Sequence, residues 1–174
     1  MLEFRKRGVR LSILRTAVKI EPTILLVEDD SNDALLMRLA LERTHPEVRL
    51  SVASNGLEAL KYLEGQQPYA DRSVFPLPQL ILLDLVMPLF TGLQVLRWIR
   101  DRPEFDSLPV VMLTSFPGNE DADLACEMGA DSYIVKPLSF DRLEDALDRA
   151  VDRLIGGRRL VEQDWLAWSE RKAA

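Results

Sequence analysis

The sequence predicts an α/β fold in which a five-stranded parallel sheet is covered by helices on both faces. Five short apolar runs alternate with amphipathic segments between residues 23 and 155, and such alternation is typical of strands joined by helical crossovers. Several runs are apolar at every position, as expected of strands buried on both faces. The 174 residues, 47% of them hydrophobic, suffice for one well-packed domain.

The first strand and the first helix are predicted over residues 24–44. The apolar run Ile24–Val27 ends at Glu28-Asp29-Asp30, as a buried strand does where it meets a polar loop. A helix is expected from Asn32 to Thr44, with Ser31 as a candidate N-cap and His45 at the surface beyond its end. Asp30 and Asp33 are expected to be solvated or capping residues, not metal ligands. Its inner face is predicted from helical spacing to hold Leu35, Leu36, Leu39 and Ala40.

The second strand and helix are followed by a long loop. Residues 48–52 alternate in polarity, which is typical of a half-exposed strand. Asn55-Gly56 is expected to form a turn before a helix whose inner face holds Leu57, Leu60 and Leu63. Residues 65–78 contain three prolines and no periodicity, which indicates a loop.

Three further strands complete the predicted sheet. The first is Leu80–Leu83, which stops at Asp84; the others are Val110–Leu113, before Thr114-Ser115, and Tyr133–Val135, before Lys136-Pro137. Helices are expected over 93–100, over 120–128 with Gly129 as a left-handed cap, and after Ser139.

The chain is predicted to have a basic arm over residues 1–22, an α/β body over 23–155 and a tail over 156–174. The net charge is −6, but residues 1–20 hold six basic residues against one acidic residue, so they carry +5 and the rest of the chain carries −11. An acidic body argues against nucleic-acid binding, because contacts with phosphates need clustered Lys and Arg.

Cysteine content and hydropathy predict a cytoplasmic protein that does not enter a membrane. Cys126 is the single cysteine, expected to be a small buried residue, and no apolar run approaches the about 20 residues that span a bilayer. In the tail, Val161, Trp165 and Trp168 share one helical face. This face is expected either to pack on the body or to form a homodimer contact.

Polar residues follow four of the predicted strands. In an open parallel sheet the carboxyl ends of the strands lie at one edge, where ligands bind. Crowded carboxylates repel one another and favour a cation between them, and hard oxygen ligands suit Mg²⁺. A lysine beside them can pair with a phosphoryl oxygen. The residues expected in this crevice are Glu28, Asp29, Asp84, Thr114, Ser115 and Lys136.

Four motifs, in this order along the chain, resemble the response regulator receiver family. They are Leu26-Val27-Glu28-Asp29-Asp30, Asp84-Leu85-Val86-Met87-Pro88 with Gly92, Leu113-Thr114-Ser115, and Tyr133-Ile134-Val135-Lys136-Pro137. The resemblance covers roughly residues 23–155. It implies the flavodoxin-like receiver fold with strand order 2-1-3-4-5, and a stand-alone response regulator of a two-component phosphorelay.

The resemblance also implies a role for each residue of the crevice. Asp84 would accept a phosphoryl group from a sensor histidine kinase, and Thr114 and Lys136 would bind that group. Mg²⁺ or Mn²⁺ would be the cofactor. Its ligands would be Asp29, Asp84, the backbone carbonyl of Val86 and, through a water molecule, Glu28.

The same resemblance assigns roles to residues around the crevice. Phosphorylation is expected to move Thr114 and to turn Tyr133, the aromatic switch residue, inward. A cis peptide bond is expected before Pro137. Val86 and Phe116 flank the site and cannot orient an attacking water molecule, so the acyl phosphate is expected to persist longer than in fast chemotaxis-type receivers.

A narrower resemblance concerns the partners. The long loop and the runs Leu77–Leu85 and Gly129–Pro137 resemble single-domain receivers paired with bacterial phytochromes, which implies a red-light kinase. Because the tail is too short for a DNA-binding domain, the output is expected to pass to a downstream protein target or a phosphotransfer protein.

Other functions fit the sequence less well. An Asp-nucleophile phosphatase-like enzyme needs a second Asp where Val86 stands, and a nucleotide- or flavin-binding fold needs a glycine-rich turn where Glu28-Asp29-Asp30 stands. A degenerate, unphosphorylated receiver is disfavoured because Asp29, Asp84, Thr114 and Lys136 are all present. A phosphotransfer intermediate stays open as an alternative. The main prediction is a signalling domain, not an enzyme with its own substrate.

Overall fold

The computed structural model of the chain describes residues 21–115, 120–136 and 139–155, without the side chains of residues 120–122. The strands are β1 (Thr23–Val27), β2 (Arg49–Ala53), β3 (Leu80–Asp84), β4 (Val110–Thr114) and β5 (Ser132–Val135). The helices are α1 (Ser31–Thr44), α2 (Gly56–Glu64), α3 (Gly92–Arg100), α4 (Glu120–Glu127) and α5 (Phe140–Ile155), with a short 3-10 helix over Pro103–Phe105. None of the helices in these ranges is long and apolar enough to cross a membrane.

The five strands form one parallel sheet in the order β2-β1-β3-β4-β5. This arrangement confirms the predicted fold class and strand order. The register pairs Val27 with Leu83 and Asp84 with Leu113. The carboxyl ends of the central strands are therefore level with one another, and the polar residues that follow them meet at one edge.

The core lies in two layers, one on each face of the sheet, because successive strand residues point to opposite sides. Leu25, Val27 and Leu83 pack with α2 and α3, whereas Leu26 and Leu82 pack with α1 and α5. Every residue of β1, β3 and β4 is buried, as central parallel strands require, while β2 is half-exposed as its alternation predicted.

Helix α1 turns a different face to the sheet from the predicted one. Its buried residues are Met37, Ala40 and Leu41. The predicted inner residues Leu35, Leu36 and Leu39 are instead 53%, 43% and 42% exposed. The helix carries two overlapping apolar stripes, and packing with the buried leucines of α5 selects the second.

The caps of α1 and α2 fix where these helices begin. Of the two candidate caps, Asp30 and not Ser31 is the N-cap of α1, and its carboxylate accepts hydrogen bonds from the backbone N–H groups of Asn32 and Asp33. Asn55 accepts the corresponding hydrogen bond at α2. Ser31 is already the first residue of α1, so the residue before it, Asp30, occupies the N-cap position and accepts these hydrogen bonds.

The inner face of α2 also differs from the prediction. Leu57 is 55% exposed, whereas Ala59, Tyr62 and Leu63 are buried. Leu60 is partly buried against the core. The tyrosine takes the inner position because its hydroxyl finds a partner there, donating to the Pro76 carbonyl at 2.8 Å.

His45 is buried, so its predicted surface position is wrong. The ring lies between two carboxylates, with Nδ1 3.5 Å from Glu47 and Nε2 3.2 Å from Asp148 of α5. Arg43 makes a second contact with α5, 3.0 Å from Glu144. Helix α5 covers the end of α1, a contact between residues about a hundred positions apart that no local pattern reveals.

The segment between α2 and β3 contains no helix or strand, as predicted, but it is tightly built. Tyr62, Tyr69 and Phe75 form an aromatic cluster with ring centroids 5.2 to 6.1 Å apart. The guanidinium of Arg72 donates to the carbonyls of Tyr62, Leu63 and Phe75. These contacts fix the loop that leads into β3.

The turn between α4 and β5 shows the left-handed residue that was predicted. Gly129 has a φ of +94°, which a glycine adopts without strain. Ala125 on α4 is buried, whereas Cys126 is only partly buried and not the buried residue expected. Residues 1–20 of the predicted arm and the whole predicted tail over 156–174 lie outside the described residues.

Candidate functional site

Three carboxylates meet at the carboxyl edge of the sheet. Glu28 and Asp29 follow β1, and Asp84 ends the neighbouring β3. Glu28 and Asp84 are buried and Asp29 is exposed, and the three offer oxygen atoms that all lie within 4.8 Å of one another. The predicted acidic crevice therefore exists. Two of its carboxylates are buried in the protein, and the third is exposed to solvent.

Burial raises the pKa of both buried carboxylates, so their surroundings favour a nearby positive charge. Burial raises the pKa of Glu28 to about 7, against a hydrogen bond from Lys136, and the negative charge of Asp84 raises it further. Burial also raises the pKa of Asp84 above its usual range, against the attraction of Lys136. Two buried carboxylates side by side repel, so a cation would stabilise their charged forms.

The donor set fits a small divalent cation. Mg²⁺ takes oxygen ligands at about 2.0–2.1 Å, so neighbouring and opposite ligands of one ion lie about 3 to 4 Å apart. Carboxylate oxygens within 4.8 Å of one another can reach these separations through small side-chain rotations. The exposed position of Asp29 leaves room for water molecules, which Mg²⁺ retains.

The ammonium group of Lys136 provides the positive charge of the crevice. Its Nζ lies 2.6 Å from Glu28, 2.9 Å from Asp33 and 3.2 Å from Asp84. Burial alone would lower the pKa of Lys136, but hydrogen bonds to Glu28 and Asp33 and the charge of Asp84 outweigh it and raise the pKa. The lysine therefore stays charged.

Asp33 belongs to this group, although the sequence indicated only a solvated or capping residue. It lies in the first turn of α1, and its carboxylate is half-exposed. The one sequence signal was its spacing, since it lies one helical turn after Asp29 and Asp30. Such spacing also describes ordinary solvated acids, so it did not single out Asp33.

Other predicted residues lie near the crevice. Thr114 is buried at the end of β4 and Ser115 is exposed. The backbone N–H of Lys136 donates to the Thr114 carbonyl at 2.6 Å, which places the ends of β4 and β5 together. Tyr133 is partly buried against the core on the α2 and α3 side of the sheet.

The loop after Asp84 is shaped by close backbone contacts. A Cβ at Gly92 would lie 2.2 Å from the carbonyl oxygen of Asp84, so only glycine fits there. Leu89 has a φ of +68° and a side chain that is 98% exposed. The backbone N–H of Val86 bonds the Asp84 carboxylate, while the Val86 side chain is 61% exposed.

Two predicted positions lie outside the described residues. These are Phe116, expected to shield the site, and Pro137, expected to follow a cis peptide bond. Within the described ranges the structure brings together Glu28, Asp29, Asp84 and Lys136, and it adds Asp33.

The family model of the response regulator receiver domain matches residues 24–148 of the chain. Among curated relatives, the transcriptional regulatory protein AfsQ1 of Streptomyces coelicolor is 38% identical over 132 residues, which are 76% of this chain and 52% of AfsQ1. The chain thus spans about half the length of that relative.

Solved receiver structures have the same fold. The response regulator RPA3017 in red light signalling of R. palustris has a TM-score of 0.71 at 30% identity, over 75% of this chain and 92% of that one. The phosphorylated cyanobacterial phytochrome response regulator RcpA has a TM-score of 0.69 at 29% identity, over 78% and 94%. The Mn²⁺-bound form of Rcp1 of Synechocystis has a TM-score of 0.66 at 30% identity, over 75% and 92%.

The sheet order, the acidic crevice and the family match agree with one another. The family match extends from β1 into α5 and contains every residue of the crevice. The chain therefore belongs to the response regulator receiver domain family, whose members accept a phosphoryl group in two-component signalling.

Proposed function

We propose that this chain is a response regulator that accepts a phosphoryl group from a sensor histidine kinase on Asp84. The observation that carries the proposal is the position of Asp84: buried at the end of β3, within 4.8 Å of two other carboxylates and 3.2 Å from the Lys136 ammonium. A carboxylate held between an acidic cluster and a fixed positive charge can form an acyl phosphate and keep it neutralised.

The transfer forms one bond and breaks another. An oxygen of Asp84 attacks the phosphorus of a phosphohistidine, the new P–O bond forms, and the P–N bond breaks. The imidazole leaves and takes up a proton. Lys136 neutralises the added charge, and the hydroxyl of Thr114, at the end of the adjacent β4, binds a phosphoryl oxygen.

The cofactor of this proposal is Mg²⁺ or Mn²⁺. Asp29, Asp84 and the backbone carbonyl of Val86 would hold it, with Glu28 binding through a water molecule. The bound cation would supply positive charge to the phosphoryl oxygens during the transfer. Support comes from the three clustered carboxylates and from the Mn²⁺-bound form of Rcp1.

The partner of the proposal is a histidine kinase that responds to red light. Support comes from the red-light regulator of R. palustris and the phytochrome regulator RcpA, each of which is covered to more than nine-tenths by this chain. Output passes to a downstream protein or a phosphotransfer protein through a shift of Thr114 and Tyr133 between two packings. The domain acts on no other substrate.

The experiment is an intact-mass measurement of the full chain after incubation with acetyl phosphate, with and without Mg²⁺. We expect a gain of about 80 Da that needs both Mg²⁺ and Asp84. Asp84→Asn is the test variant and Asp106→Asn, an exposed acid far from the crevice, is its control. A gain that persists in Asp84→Asn would contradict the proposal.

The same measurement tests the lifetime of the phosphate. After the donor is removed, we expect slow loss of the added mass, because Val86 beside the acceptor has no polar side-chain atom to orient a water molecule. A half-life of only seconds would contradict this part of the proposal.

A further inference from the structure

Lys136 contacts three carboxylates, which differ in their burial and in whether they belong to the acidic cluster. Its ammonium group has three N–H donors, and an oxygen of Glu28, Asp33 or Asp84 lies within 3.2 Å of it in each case. Glu28 and Asp84 are buried and belong to the cluster of acids that suits a cation. Asp33 is 39% exposed in its side chain and is not part of that cluster.

This difference becomes important when a cation and a phosphoryl group occupy the site. A cation and a phosphoryl group would compete with Lys136 for the carboxylates of Glu28 and Asp84, because both acids belong to the cluster that would hold the cation. Asp33 contacts Lys136 but lies outside the cluster of acids, so its oxygen stays available to the lysine. Of the three acids, it is the one whose hold on Lys136 does not depend on the loading of the site.

The fold places Asp33 firmly for this task. It occupies the first turn of α1, where its backbone N–H is bonded to the carboxylate of the N-cap residue Asp30. Lys136 follows β5, 103 positions later in the chain. The contact therefore joins the start of α1 to the edge of the sheet, and its length of 2.9 Å is that of a charge-assisted hydrogen bond.

We propose that Asp33 is a positioning residue that holds the ammonium group of Lys136 toward Asp84 during phosphorylation. The proposal deepens the function proposed above and rests on it. With Asp33 in place, one N–H of Lys136 is bound on the helix side, and another faces the acceptor. Without it, the long side chain gains rotational freedom, and its charge is presented to the phosphoryl group less often.

The first test follows the lysine itself, in the metal-free protein. The chain has five lysines, Lys6, Lys19, Lys61, Lys136 and Lys172, so the ammonium signals of a lysine-labelled sample can be resolved by NMR. We expect a slowly exchanging Lys136 signal, assigned by its loss in Lys136→Arg. Asp33→Ala should shift or broaden this signal, whereas Asp30→Asn should preserve it.

Asp30→Asn is a matched control because it removes one negative charge next to Asp33 and keeps an effective N-cap. Its side chain accepts hydrogen bonds from the backbone N–H groups of Asn32 and Asp33, and it interacts with Lys136 through charge without a hydrogen bond to it among the described residues. Thermal unfolding of each variant verifies that α1 remains folded.

The second test is the rate of phosphorylation by acetyl phosphate in the full chain. Asp33→Ala should lower the maximal rate roughly three- to tenfold, as expected for the loss of one partly exposed charge-assisted hydrogen bond. Asp33→Asn, which keeps an acceptor oxygen, should fall between it and wild type. The Mg²⁺ concentration for half-maximal rate should change less than about twofold, because Asp33 lies outside the acidic cluster.

The outcomes separate the two proposals. Absence of phosphorylation in wild type contradicts the proposed function, whatever the lysine signal shows. Normal phosphorylation in wild type together with an unchanged Lys136 signal in Asp33→Ala contradicts the positioning role alone. Equal rates in Asp33→Ala and Asp30→Asn also contradict it, because the effect would then be one of general charge.

Discussion

At the scale of single residues, the site depends on how closely the backbone approaches Asp84. Gly92 lies against the carbonyl oxygen of Asp84, and its own N–H donates to the Leu85 carbonyl at 3.1 Å. The loop between them must therefore turn back sharply. Leu89 within it has a positive φ, which costs a non-glycine residue about 1–2 kcal/mol. The unfavourable backbone conformation of Leu89 therefore accompanies the close contact between the start of α3 and Asp84.

Gly92→Ala tests this tight packing. Because the added methyl would meet backbone atoms that cannot move aside, we expect a loss of about 2–3 kcal/mol in the free energy of unfolding and little phosphorylation. Urea unfolding and intact mass measure the two effects. In Gly65→Ala the methyl meets only the end of Arg72, and the φ of +69° costs alanine about 1–2 kcal/mol, so this control should lose less stability than Gly92→Ala and still be phosphorylated. A Gly92→Ala protein with wild-type stability and phosphorylation would contradict the close approach.

At the scale of elements, helix α1 combines a structural face with a functional end. Met37, Ala40 and Leu41 pack against the sheet and α5, whereas the opposite side leaves Leu35 and Leu36 partly in solvent. Its first turn carries Asp30 and Asp33, the cap and the partner of Lys136. The rotation of the helix thus decides both what the core contains and which acid reaches the lysine.

A pair of leucines of equal size measures this rotation. Leu41→Ala should cost about 2–5 kcal/mol in unfolding free energy, because it leaves a cavity in a buried layer. Leu36→Ala, at a position 43% exposed, should cost less than about 1 kcal/mol. Urea unfolding of both variants decides the matter, and the reverse order of losses would mean that the predicted inner face, and not the observed one, packs on the sheet.

The limits of the sequence are clearest in these elements. The strands were predictable because continuous apolar runs end at polar residues, as Leu80–Leu83 ends at Asp84. The rotation of α1 was not, because two apolar stripes overlap at Ala40. The burial of His45 and the contact of Asp33 depend on α5 and β5, which lie about a hundred residues away. Such contacts arise only from the assembled fold.

At the scale of the whole molecule, the parallel topology of the sheet brings the residues of the site together. Every strand runs in one direction, so residues distant in sequence, such as Glu28, Asp84 and Lys136, follow strands that end at one edge. Resemblance at four strand ends was therefore enough to predict the fold and the crevice together.

The most direct measurement is to locate the phosphoryl group on the chain. The phosphorylated protein is treated with borohydride, which reduces an acyl phosphate to an alcohol, and the peptides are then mapped by mass spectrometry. The account predicts a single converted residue, homoserine in place of Asp84. Conversion at Asp29 or Asp33 instead, with Asp84 intact, would contradict it.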